Sequence, residues 1–154
     1  FCHSVAKGGA ISAVVPMCSH VDHTEHDTHV FISEQGVADV LKFMQQRTEQ
    51  CLASGIKKEN LIWDPGFGFG KSVQHNYCLL QQFSVFCEQG YPVLAGISRK
   101  SMIGAVLDKP VEQRTVGSVA AALIAAMKGA SILRVHDVAE TADALKIWLA
   151  TQNA

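Results

Sequence analysis

Residues 64–71 of this chain read Asp-Pro-Gly-Phe-Gly-Phe-Gly-Lys, and they decide how the rest is interpreted. The apolar run Leu-Ile-Trp at 61–63 precedes them, so Asp64 falls where a buried strand is predicted to end. The alternating glycines free the backbone for left-handed conformations, and the two phenylalanines offer flat apolar faces. A carboxylate, a glycine loop, aromatic rings and a cation so close together predict a ligand site.

The composition predicts one globular domain. The chain has 154 residues, of which 48% are hydrophobic and 18% are charged, and its formal net charge is −1. This balance argues against disorder, and the lack of a basic block or a long apolar run gives no indication of nucleic acid or a membrane. Five cysteines without a Cys-x-x-Cys pair are typical of reduced thiols, which predicts a cytoplasmic location. Because the chain begins with Phe1, we expect it to be a fragment.

Strand and helix patterns alternate along the chain. Helical spacing predicts helices at about 37–52, 77–87, 111–128 and 137–149, and apolar runs predict strands at 61–63, 92–96 and 132–135, with a further candidate at 11–17. In the third helix, the predicted buried stripe is Val116, Val119, Ala120, Leu123, Ile124 and Met127. About four strand–helix units, spaced by roughly 35 residues, predict an α/β fold with parallel strands.

Polar clusters at 64–71, 98–101 and 134–137 each follow a predicted strand. Both open α/β sheets and (β/α)8 barrels bind ligands at the carboxyl ends of their strands, so we expect one shared site. Periodicity alone does not distinguish the open sheet from the barrel. A complete barrel takes about 250 residues, so this chain has room for part of one.

Two nucleotide-binding interpretations of the glycine loop fail. Gly-Lys-Ser at 70–72 invites a Walker A motif, but Pro65 stands at the first glycine position and has no N–H to donate. The spacing of Gly66, Gly68 and Gly70 also misses the Gly-x-Gly-x-x-Gly pattern of dinucleotide folds.

Each polar cluster favours its own kind of ligand. Asp64 can receive a paired N–H edge, such as a guanidine-like group on a heterocycle, or it can cap its own loop. The adjacent cations Arg99 and Lys100 suit anionic or carbonyl oxygens, and they equally fit a solvated loop. Arg134 and His136 alternate along a strand end beside the start of the last helix, which predicts a phosphate site.

A histidine-rich run covers residues 20–29, where His20, His23, His26 and His29 alternate with acids. Imidazole is a common zinc ligand, so the run is a candidate metal site. A spacing of three drifts around a helix and defines no clear open site, which leaves a solvated polar loop as the alternative.

Three motifs together resemble dihydropteroate synthase. They are residues 64–71, Gly-Ile-Ser-Arg-Lys-Ser-Met-Ile-Gly at 96–104 and Arg-Val-His-Asp at 134–137, within a similarity over about 37–149. The resemblance implies a (β/α)8 TIM barrel. Here it would be a single partial pterin-binding domain of about four units over 1–154, with 1–36 poorly matched.

The resemblance also implies an activity. The family condenses 6-hydroxymethyl-7,8-dihydropterin pyrophosphate with p-aminobenzoate, using Mg²⁺, and yields 7,8-dihydropteroate and pyrophosphate. This transferase reaction belongs to folate biosynthesis, is the target of sulfonamides and is carried out by homodimers. Since the first half of the barrel and its usual Mg²⁺ region are missing, we expect little or no catalysis by this chain alone.

Residue roles follow from the resemblance position by position. The pterin would be bound by Asp64, Gly96 and Lys100, and the p-aminobenzoate side would be lined by Phe69, Ser98 and Arg99. Arg134 and His136 would hold the pyrophosphate, and the catalytic groups would be Lys100, Arg134 and His136.

Two other functions stay open at this point. One is a non-catalytic remnant whose histidine-rich segment binds a metal or a partner. The other is a pterin-binding methyltransferase on a related barrel. The motif at 98–101 favours the synthase, because it supplies the benzoate side.

Overall fold

The computed structural model describes residues 36–152, so the predicted strand at 11–17 and the histidine run at 20–29 lie outside the described residues. The helices are α1 (Gly36–Ala53), α2 (Val73–Gln81), α3 (Ser84–Cys87), α4 (Ser101–Leu107), α5 (Thr115–Met127) and α6 (Val138–Gln152). The strands are β1 (Leu94–Ala95) and β2 (Ile132–Leu133), and short 3₁₀ turns cover Lys58–Asn60 and Val111–Gln113. Helical segments separate the strands, as the sequence predicts, although α2 and α3 follow one another, as do α4 and α5.

The strands lie parallel. Leu94 pairs with Ile132 and Ala95 with Leu133. On the other side of β1, a parallel bridge joins Trp63 to Val93, with the Leu94 N–H donating to the Trp63 carbonyl at 2.7 Å. The predicted α/β fold with parallel strands is therefore confirmed, although the hydrogen-bonded spans are shorter than the predicted runs.

In the core, α1 and the helices after the glycine loop pack against three parallel segments. These segments are β1, β2 and the residues ending at Trp63. Its largest fully buried side chains include Trp63, Phe67, Phe83, Phe86 and Met44. The indole of Trp63 is satisfied, because its Nε1–H donates to Thr48 Oγ1 at 3.0 Å. This core fixes the strand end from which the glycine loop departs.

The single helix predicted at 77–87 is instead two helices. α2 begins after Ser72, whose hydroxyl accepts the His75 N–H as an N-cap, and α3 starts at Ser84. Phe83 lies at the break and packs its ring 5.8 Å from that of Phe67. Apolar residues three and four apart satisfy either arrangement, so the spacing did not predict the break.

The predicted orientation of α5 is wrong. Val116, Ile124 and Met127, members of the predicted buried stripe, are 80%, 43% and 59% exposed. The buried face is Ser118, Ala121, Ala122, Ala125 and Ala126. Small side chains let the helix approach the core closely, so the face with the smaller residues packs inward. α5 is therefore apolar on both faces.

None of the helices within residues 36–152 combines the length and the hydropathy needed to cross a membrane.

The orientation of α5 can be tested with two alanines. Ala125 is fully buried and Ala120 is exposed. Ala125→Leu overpacks the core and should lower the free energy of unfolding by about 1–3 kcal/mol in urea titrations of dilute protein. Ala120→Leu, the matched control, should change it by less than about 0.5 kcal/mol. The orientation predicted from the sequence would reverse this order.

Candidate functional site

The carboxyl ends of the three parallel segments bring Asp64, Gly96 and Arg134 together. Arg134 continues the ladder, because its N–H donates to the Ala95 carbonyl at 3.0 Å. Its guanidinium Nη2 lies 3.8 Å from Asp64 Oδ2. The same guanidinium lies across Gly96, where an added Cβ would come within 2.6 Å of Nη2. Residue 96 therefore lacks a side chain because Arg134 occupies that space.

The loop at 64–71 wraps around the buried carboxylate of Asp64, which is 3% exposed. Asp64 Oδ1 accepts the Gly66 N–H at 2.9 Å. Gly66 and Gly68 have φ values of +72° and +82°, a region that strongly favours glycine. The alternating glycines are thus required by the loop's path, as the sequence indicated.

Asn76, which no sequence pattern singled out, holds the loop through its side-chain amide. This side chain is 2% exposed. Its Oδ1 accepts the Gly68 N–H at 2.7 Å, and its Nδ2 donates to the carbonyls of Lys71 and Ser72 at 3.2 and 2.8 Å. An amide in the first turns of the helix that follows a glycine loop was the signal available in the sequence.

Lys71, the last residue of the loop, binds back to the loop's own backbone. Its Nζ donates to the carbonyls of Gly66 and Phe69 at 2.8 and 3.2 Å. Burial lowers the pKa of Lys71 to about 8, the negative charge of Asp64 opposes this shift, and the positive charge of Lys100 adds to it. The Lys71 ammonium therefore stabilises the backbone of the loop through these two hydrogen bonds.

Lys100 joins the second motif to the first. Its Nζ donates to the Phe67 carbonyl and lies 4.5 Å from the centre of the Phe69 ring. Gly68 lies directly against its stem, since an added Cβ there would be 2.9 Å from Lys100 Cδ. A cation over an aromatic face gives this part of the site both charge and a flat wall.

Arg99 and Asp137 form an ion pair that joins the loops after β1 and β2. The guanidinium Nε and Nη2 donate to the two oxygens of Asp137 at 3.1 and 2.5 Å. The hydrogen bond from Arg99 is the largest cause that lowers the pKa of Asp137, and Thr115 adds a second hydrogen bond at 3.2 Å. Arg99 itself has a φ of +58°, unusual for a side chain of this size.

Two neighbours hold the backbone of Arg99 in that conformation. Its N–H donates to Ser118 Oγ at 2.8 Å, and its carbonyl accepts Nη1 of Arg114 at 3.1 Å. The Arg114 guanidinium also lies across Gly104, where a Cβ would collide with it. Ser118 and Arg114 lie on or beside a helix whose sequence signal was its apolar stripe, so the sequence predicted neither role.

The Ser98 side chain is buried and contacts His136. Its Oγ lies 2.9 Å from the His136 ring Nδ1, and it is 5% exposed. The prediction that Ser98 and Arg99 line a benzoate side stays a prediction, because in this structure both side chains bond to the loop after β2.

The described residues do not form a metal site. Within 36–152, no group of three or more histidine, cysteine, aspartate or glutamate side chains is arranged to hold an ion. The two buried carboxylates of the site, Asp64 and Asp137, each face an arginine. These residues therefore do not fit Mg²⁺, which prefers several oxygen ligands.

The assembled surface combines the buried carboxylate of Asp64 with the exposed side chains of Arg134 and His136. Arg134 has a side chain 53% exposed, and His136 is exposed beside it. The Phe69 ring and Lys100 stand next to the buried carboxylate of Asp64. Such a surface can bind a ligand with an N–H edge, a ring and an anionic group.

A family model described as "Pterin binding enzyme" matches residues 2–136. The chain therefore belongs to the pterin-binding enzyme family. The matched range includes residues 2–36, which lie outside the similarity over about 37–149 that the sequence indicated.

Within that family, the chain is similar to dihydropteroate synthases, which confirms the resemblance. The synthase of Haemophilus influenzae is 73% identical over 121 residues, or 79% of this chain and 44% of that protein. The synthase of Escherichia coli K12 is 48% identical over 117 residues, or 76% of this chain and 42% of that protein.

Solved structures agree. The Xanthomonas albilineans dihydropteroate synthase with 4-aminobenzoic acid matches with a TM-score of 0.79 and 47% identity over 86% of this chain and 48% of its own. The same enzyme with 7,8-dihydropteroate matches with a TM-score of 0.75 and 51% identity over 77% of this chain and 45% of its own. The chain thus spans less than half the length of these relatives.

The lowered pKa of Lys71 predicts a pH-dependent stability. The folded chain releases this proton near pH 8 and the unfolded chain near 10.5, so the unfolded state binds more protons between those values. The free energy of unfolding should therefore rise from pH 8 to 10 in wild type relative to Lys71→Met, as measured by urea titration. Lys42→Met removes an exposed lysine of α1 and controls for the loss of a cation. Parallel curves for wild type and Lys71→Met would contradict the prediction.

Proposed function

We propose that this chain forms one wall of a dihydropteroate synthase active site. In this proposal the chain is a partial (β/α)8 barrel of about four units. Its wall takes part in condensing 6-hydroxymethyl-7,8-dihydropterin pyrophosphate with p-aminobenzoate. The buried Asp64 carboxylate at the end of the first parallel segment carries the proposal, because it is the group suited to recognise a pterin.

Asp64 has acceptor capacity that residues 36–152 leave unused. A carboxylate offers about four lone-pair sites. Within the described residues, Oδ1 takes the Gly66 N–H, and Oδ2 has a long 3.8 Å contact with Arg134. A pterin presents an amino group and a ring N–H side by side, which matches two carboxylate oxygens in a bidentate, charge-assisted pair. Gly96 and Lys100 would complete this pocket.

The other two ligand portions have matching surfaces nearby. Phe69, with Lys100 over its ring, supplies an aromatic wall and a cation for p-aminobenzoate. The X. albilineans structures with 4-aminobenzoic acid and 7,8-dihydropteroate support this assignment through their similarity to this chain. Ser98 and Arg99 would border that side through the loop that they stabilise.

Pyrophosphate would lie at Arg134 and His136, beside the start of α6. The N-terminal N–H groups of this 15-residue helix add a partial positive charge. As the C–O bond to pyrophosphate breaks and the amine nitrogen bonds to the pterin methylene, negative charge grows on the leaving oxygens, and the nitrogen gives up one proton to water. The Arg134 cation and N–H donors placed beforehand at that position stabilise this charge, and the two binding surfaces orient the reactants.

We propose that the wall alone supports little or no turnover, since the chain spans less than half of its relatives. Mg²⁺, which the resemblance implies, would have its ligands outside residues 36–152. The three described cysteines, Cys51, Cys78 and Cys87, are free thiols, which supports the proposal of a cytoplasmic protein.

We also propose that the chain forms a homodimer through the outer face of α5. The spacing of Val116, Ala120, Ile124 and Met127 places them on one side of the helix, and all four are exposed. A helix that is apolar on all sides is typical of buried helices, and a broad exposed apolar face marks a protein interface. A second copy would cover this face by two-fold symmetry.

Asp64→Asn tests the proposed pterin site. The substitution keeps an oxygen that can accept the Gly66 N–H, but it replaces one of the two acceptors that a paired N–H edge requires. Binding of a pterin analogue, measured by isothermal titration calorimetry, should weaken by about 10- to 100-fold.

The control is Asp143→Asn, which removes an exposed carboxylate of α6 that pairs with Lys146. Its affinity for the analogue should equal that of wild type. Unchanged binding in Asp64→Asn would contradict the proposed site.

Val116→Glu tests the proposed dimer. Val116 is 80% exposed, so the substitution leaves the core intact while it places a charge in the proposed interface. Burying that unpaired charge should raise the dimer dissociation constant by about 100-fold or more in sedimentation velocity. Lys146→Glu changes a charge on α6 and should leave the dimer intact. A monomeric wild type, or a dimer unaffected by Val116→Glu, would contradict the proposal.

A further inference from the structure

Ser98 and His136 make two contacts where β1 and β2 give way to loops. The backbone N–H of His136 donates to Ser98 Oγ at 3.2 Å. The ring Nδ1 of His136 lies 2.9 Å from the same oxygen. Because β1 and β2 are paired in parallel, the sheet itself sets this approach.

The hydrogen bonds of the Ser98 hydroxyl indicate which nitrogen of the His136 ring carries the hydrogen. A hydroxyl has one hydrogen and two lone pairs, and a buried hydroxyl hydrogen needs an acceptor. One lone pair of the buried Ser98 takes the His136 backbone N–H. Within residues 36–152, the acceptor within reach of its hydrogen is His136 Nδ1. This count favours a hydroxyl that donates to Nδ1, an arrangement in which the ring hydrogen of a neutral imidazole lies on Nε2.

We propose that Ser98 is a positioning residue that presets His136 as an N–H donor at Nε2 for the departing pyrophosphate. The proposal rests on the proposed function and assigns Ser98 a role other than contact with benzoate. Phosphate oxygens accept hydrogen bonds and are repelled by a bare ring nitrogen lone pair. A ring already held in the donor form needs no tautomer change when the anion binds or when charge develops on it.

The tautomer is measured directly in two-bond ¹⁵N–¹H correlation spectra of the complete 154-residue chain, labelled at histidine. The spectra are recorded at an alkaline pH at which free imidazole is neutral, and His136→Gln identifies the signals by their loss. We expect one form, with hydrogen on Nε2 and an unprotonated Nδ1. A ring with its hydrogen on Nδ1 would overturn the proposal whether or not a ligand binds.

Ser98→Ala provides the second arm. With the donor to Nδ1 removed, both tautomers become populated, and the two ring nitrogen signals should move toward each other. Affinity for inorganic pyrophosphate should fall by about 3- to 10-fold. Ser98→Thr keeps the hydroxyl and should keep the wild-type spectrum.

Ser131→Ala is the matched control. Ser131 precedes β2, at the opposite end of that strand, and its Oγ accepts the Val93 N–H at 3.4 Å. Its ring spectrum and pyrophosphate affinity should equal those of wild type. Ser98→Ala values identical to wild type would overturn the role of Ser98. A wild-type chain that fails to bind pyrophosphate would instead count against the proposed function, while its ring spectrum would still decide the tautomer.

Discussion

The ion pair between Arg99 and Asp137 is the interaction on which the candidate site depends. It ties the loop after β1 to the loop after β2, and its members lie next to Ser98, Lys100 and His136 in the chain. The Arg99 backbone has a φ of +58° that Ser118 and Arg114 hold, and the ion pair fixes its side chain. Without the pair, the buried carboxylate of Asp137 would lose its main partner, and the loop that carries Lys100 would lose its anchor.

The glycine loop likewise depends on side chains that form hydrogen bonds with its backbone groups. Asp64 and Asn76 accept its N–H groups, while Lys71 and Lys100 donate to its carbonyls. Asp64 and Lys71 are the ends of the loop itself, whereas Asn76 comes from α2 and Lys100 directly precedes α4. The loop conformation therefore depends on the placement of these two helices. Of the four, Asp64 alone keeps oxygen capacity suited to a paired N–H edge, which explains why it lies at the centre of the proposed pterin pocket.

Local sequence patterns predicted the parallel α/β fold and the convergence of three motifs, because strand polarity places their polar ends at one edge. They did not predict the orientation of α5, where both faces are apolar and the size of Ala125 against Ile124 decides which packs inward. They also missed Asn76 and Arg114, whose partners are backbone atoms far along the chain or in a loop. Hydrogen bonds of this kind leave no periodic signal.

A double-mutant cycle on Arg99 and Asp137 tests most directly whether this ion pair holds the candidate site together. Arg99→Met, Asp137→Asn and the double variant are each titrated with a pterin analogue by calorimetry, with wild type alongside. If the pair holds the wall together, each single variant binds about 10-fold more weakly, and the double variant binds no more weakly than either. Wild-type affinity in the single variants, or losses that simply add in the double variant, would contradict it.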